Sequence, residues 1–145
     1  MKKKLTAKQK WGKTMTFVVE AQPYKQECVV VVNGKLEDAV KLLRKQTTEN
    51  SRVMADAIEA NIEEMRTSEP KRGAGVMFHG LPVGYLMMFN HDNGWIDTVG
   101  MVVHESFHFV DYVLKRAGIK LSEDSDEAYT YLLEDVTKQI LRHLY

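Results

Sequence analysis

Residues 104–108 read His-Glu-Ser-Phe-His, set between Val102-Val103 and Phe109-Val110. No other feature restricts the fold as sharply. On an α-helix, residues four apart share a face, so the imidazoles of His104 and His108 can reach one metal ion, with Glu105 beside them as a proton acceptor. Burying two imidazoles and a carboxylate without a cation would leave polar groups to satisfy, whereas zinc uses them all. The pattern therefore predicts a helix carrying one Zn2+ per chain, with His104 and His108 as metal ligands and Glu105 as catalytic base.

That helix is expected to begin near Ile96 or Asp97 and run to about Ala117, where Gly118 suits the left-handed cap. The polar link Ser122-Glu123-Asp124-Ser125-Asp126 then offers N-caps for a last helix, whose apolar positions Leu132, Leu133, Val136, Ile140 and Leu141 face a core. Upstream, the β-branched segments Thr14 to Ala21 and Glu27 to Val32 read as two strands separated by Pro23. Leu36, Ala39, Val40, Leu42 and Leu43 mark a first helix. Asn50-Ser51 opens a second, carrying Val53, Met54, Ala57, Ile58, Ile62 and Met65. Pro70, Gly73 and Gly75 indicate an exposed loop, Val76 to His79 and Gly84 to His91 two short strands, and Asp92-Asn93-Gly94 a turn. The order of elements gives one α+β domain over 1–145, with a short antiparallel or mixed sheet packed against helices.

An open zinc site needs a third protein ligand. Glu127, at the start of the last helix, is the expected one, since the link before it is long enough to bring the two helices antiparallel. Here the chain resembles the gluzincin metallopeptidases, the thermolysin-like class, in which the helix bearing HExxH is followed by a glutamate ligand on the next helix. Asp126-Glu127-Ala128 looks like the Asn-Glu-Ala of that class, with Asp126 in place of the asparagine. Tyr131 stands where the class has an aspartate. The resemblance covers roughly Thr98 to Leu133, and the runs HESFHFVDYVLKRAG and DEAYTYLLEDV are also similar to small zincin-like proteins of phages and prophages. It implies a zincin-like fold and hydrolysis of peptide bonds, with a peptide or protein as substrate.

Asp111 shares a helix face with both histidines and could orient one of them or replace Glu127 as ligand. Tyr129, Tyr131, His79 and His91 are candidate donors to a developing oxyanion. The segment Gly84 to His91 could edge the cleft and pair with an extended peptide, or be a methionine-rich core strand. An alternative reading is a metal-binding phage or prophage assembly or interaction protein that keeps the fold and cuts little.

Composition excludes other classes. With 20 basic and 20 acidic residues the chain has no net charge, so a nucleic-acid partner is not expected despite the opening Lys2, Lys3, Lys4, Lys8, Lys10 and Lys13, read with residues 1–13 as a flexible basic terminus. The single cysteine, Cys28, cannot form an internal disulfide. No apolar run approaches the roughly 20 residues of a membrane span. A cytoplasmic, bacterial protein is expected, and the sequence leaves its oligomeric state open.

Overall fold

A computed structural model describes residues 12–71, 73–91 and 94–145. The first five lysines of the basic opening and the turn residues Asp92 and Asn93 lie outside them. The elements are β1 (Met15–Ala21), β2 (Gln26–Val32), α1 (Leu36–Lys45), α2 (Glu49–Ala60), α3 (Ile62–Arg66), β3 (Gly75–Phe78), β4 (Tyr85–Phe89), α4 (Trp95–Arg116) and α5 (Asp126–Leu144). This is a small α+β domain with one mixed sheet.

The sheet order is β1-β2-β4-β3. β1 pairs antiparallel with β2, β2 runs parallel to β4, and β3 returns antiparallel to β4. The two central strands are covered on both faces, which is why Cys28-Val29-Val30-Val31-Val32 and Tyr85-Leu86-Met87-Met88-Phe89 are continuous apolar runs without alternation. Alternate residues serve different cores. Cys28, Val30, Val32, Tyr85, Met87 and Phe89 pack with α4 and α5, while Val29, Val31, Leu86 and Met88 pack with α1 and α2.

The second predicted helix starts slightly earlier and is divided. Thr48 caps α2 by accepting a hydrogen bond from the Ser51 backbone N–H at 3.1 Å, and the chain breaks at Asn61, so Ile62 and Met65 belong to the separate α3. The segment Gly84 to His91 is not at the edge of the sheet: β4 has β2 on one side and β3 on the other, so its backbone groups are already paired. β3 is the edge strand beside α4. The opposite edge is covered, because Gln139 of α5 accepts from the Glu20 N–H at 3.0 Å and donates to the Glu20 carbonyl at 2.8 Å.

α4 ends as its sequence indicates, with Gly118 at φ 80° and its N–H bonded to Lys115 O at 3.0 Å. The helix enters the core through Val102, Phe109, Val110, Val113 and Leu114. α5 follows antiparallel: Tyr129 near its start packs on Phe107, and the terminal Tyr145 ring meets His91 beside the first turn of α4. No helix among the described residues is long and apolar enough to cross a membrane. Phe109 is fully buried between sheet and helices. Phe109→Ala should therefore cost about 3–5 kcal/mol, read as a lowered midpoint in urea unfolding.

Candidate metal centre

The helical turn 104–108 is split by its own period. Glu105 and Ser106 turn into the protein, while His104 is exposed and His108 half-buried. The two imidazoles converge: His104 Nε2 and His108 Nε2 are 3.2 Å apart, with ring centroids 4.9 Å apart and planes at 75°. Two nitrogens at about 2.0–2.1 Å from one tetrahedral zinc would stand roughly 3.3–3.4 Å apart, so the pair fits two corners of that coordination with almost no movement. An N–H···N hydrogen bond spans the same distance when one ring donates and the other accepts.

Glu105 is only 5% exposed. None of the described residues donates a hydrogen bond to its carboxylate, which instead feels the two imidazoles electrostatically. Burial pushes this carboxyl above the ordinary glutamate range, and His104 and then His108 pull it part of the way back. Its oxygens keep contact with solvent in place of a donor, and carboxyls whose proton affinity is shifted by burial concentrate where chemistry is done.

The remaining sequence candidates scatter. Glu127 is exposed in the first turn of α5, its carboxylate engaged by no described side chain. Among the described residues, no three His, Cys, Asp or Glu side chains are gathered as a metal-binding group, so Glu127 is not drawn in beside the histidines. Asp111 is committed elsewhere: it accepts from Lys115 Nζ at 2.6 Å and from the Tyr129 hydroxyl at 3.1 Å. Its bond to a histidine, expected from the shared face, is not formed, because a cation one turn along and a buried phenol compete better for the same oxygens.

Tyr129 itself is a structural tie. Its hydroxyl bonds Asp111 and, at 3.3 Å, the Ile119 carbonyl, joining α4, the link and α5; burial raises its pKa. Tyr131 is 66% exposed and lies by Pro23 and Tyr24 at the β1–β2 turn. His91 is buried, its Nδ1 2.8 Å from Thr98 Oγ1. Thr98 is six residues before His104 on α4 and points inward, so His91 sits beneath the start of the helix rather than at the histidine pair. His79 alone of the four lies alongside, just past β3, stacked on Tyr112 at 4.4 Å. Tyr112 is one turn beyond His108.

Two contributors were missed in the sequence, one with a signal and one without. Lys115 stands four residues after Asp111, a readable ion-pair spacing. Gly75 at the head of β3 lies directly against the Glu105 side chain, a proximity that arises only once sheet and helix are packed. No protein-family model, no curated protein and no solved structure matches the chain.

Because burial raises the Glu105 pKa, the folded chain holds its proton more tightly than the unfolded chain does. Its contribution is favourable at low pH and is lost as pH rises through the folded value. Metal-free Glu105→Gln should thus melt above the metal-free parent at neutral pH, with the gap closing on acidification. Tyr129→Phe should lower stability by about 1 kcal/mol in the same melts and leave metal binding intact.

Proposed function

We propose that this protein is a zinc-dependent peptidase in which His104, His108 and Glu127 hold the metal and Glu105 is the general base. The observation that carries this reading is the buried, donor-free Glu105 carboxylate next to two imidazole nitrogens 3.2 Å apart. A structural zinc site would close with protein ligands, commonly cysteines, and would have no use for such a carboxylate.

The choice of Glu127 over Asp111 rests on engagement. Asp111 would have to surrender Lys115 and Tyr129 to turn toward a metal. Glu127 has nothing to surrender. The zincin-like resemblance of the two runs around these residues supports the same assignment.

Bound zinc would supply Lewis acidity, polarising a peptide carbonyl and acidifying water. Glu105 would take the water's proton on a carboxylate oxygen and pass it to the departing amine nitrogen. The open edge of β3 runs beside α4, and an extended peptide could pair along it, which favours a peptide backbone as substrate. His79, stacked on Tyr112 next to that strand, is the donor best placed to meet a developing oxyanion.

Elemental analysis and a pool of fluorescence-quenched peptides test the assignment together. The parent chain should carry one zinc and cleave. His108→Ala should lose both metal and activity, whereas Glu105→Gln should retain zinc and lose about 100-fold or more in kcat. A parent chain that binds no zinc from a metal-replete solution contradicts the proposal.

A further inference from the structure

Gly75 opens the edge strand β3 with a φ outside the left-handed region, so its backbone would accept any L-residue without strain. Glycine in a strand weakens it, and where conformation does not demand one, close approach of another group is the usual reason. That group is Glu105. A Cβ on Gly75 would lie 2.8 Å from Glu105 Cγ and 2.9 Å from Oε1, closer than real Cβ contacts come. Oε1 belongs to the carboxylate that has no hydrogen-bond donor among the described residues, so packing against the strand is what fixes it.

We propose that Gly75 is a positioning residue for the catalytic glutamate: its missing side chain is the seat in which the Glu105 carboxylate rests beside His104 and His108. This rests on the reading of Glu105 as general base. The strand cannot easily yield instead. The loop entering β3 is held by Asn90, whose side-chain amide donates to the Lys71 carbonyl at 2.9 Å and the Pro70 carbonyl at 3.3 Å. Behind it, β3 is bonded to β4 in a register that pairs Gly75 with Phe89. Glu105 ends in a side chain with three rotatable bonds, so a methyl group at position 75 moves the carboxylate rather than the sheet. The consequence is an asymmetry between folding and chemistry: Gly75→Ala disturbs the base more than the fold.

The test uses the full chain loaded with zinc, carrying Gly75→Ala, Glu105→Ala or both. In a crystal structure of Gly75→Ala the Glu105 carboxylate should leave the strand while the α4 and β3 backbones superpose on the parent. With the quenched-peptide pool, kcat should fall at least ten-fold with zinc content and KM unchanged. In thermal melts, any cost of Gly75→Ala should vanish in the Glu105→Ala background. Should Gly75→Ala fail to fold, a folded double variant supports the steric claim equally. A Glu105 carboxylate that keeps its place, an undiminished kcat, or the same thermal cost in both backgrounds overturns it. If the parent cleaves no peptide the catalytic reading falls, and the crystal structure and melts still decide whether Gly75 seats Glu105.

Discussion

One helical turn on α4 has to satisfy two demands at once, and the rest of the molecule is arranged around it. Its inner side must join the core, through Val102, Phe109, Val110 and Val113, and its outer side must present two imidazoles to one point in space. The period of 3.6 residues makes both possible within residues 102–113. It also forces the intervening Glu105 to the boundary, buried along its stem and without a donor among the described residues, its carboxylate oxygens still touching solvent. The sheet holds the helix in register. Two central strands, apolar on both faces, give α4 and α5 a rigid floor, and the edge strand β3 ends up against the carboxylate.

The polar groups around this turn divide by what holds them. Asp111, Lys115 and Tyr129 form a closed set that ties α4 to α5, with each charge or hydroxyl answered by another. His91 Nδ1 and the Thr98 hydroxyl form a second set under the helix start, the hydroxyl also reaching the Gly94 carbonyl at 2.8 Å. Glu105 and the exposed Glu127 belong to neither set. A closed network stabilises and fixes geometry, whereas a partly desolvated carboxylate without a protein donor adds no such tie. Retaining one is consistent with a use for it other than stability.

Local signals in the sequence foretold the elements well. The apolar runs at Cys28–Val32 and Tyr85–Phe89, the helix end at Gly118 and the shared face of His104 and His108 all follow from short-range rules, period, cap or branching, and all are realised. His104 is exposed, however, where burial of the pair was expected. What the sequence could not convey was set by packing at long range. Whether Gly84 to His91 lay at the edge or in the middle depended on the parallel partner β2, more than fifty residues earlier in the chain. His91 and Tyr129 carry the same chemistry as a catalytic donor would, and only burial against Thr98 and Asp111 assigns them to the scaffold. The split between α2 and α3 hides in Asn61, a weak breaker inside an otherwise continuous apolar stripe.

The account stands on two imidazoles and an oxygen donor gripping a zinc ion that keeps one position open. X-ray absorption at the zinc edge of the metal-loaded chain reads that coordination directly. It should return four light-atom ligands at about 2.0–2.1 Å with the multiple-scattering signature of two imidazoles. A sulfur shell at about 2.3 Å, or scattering with no imidazole contribution, would contradict it.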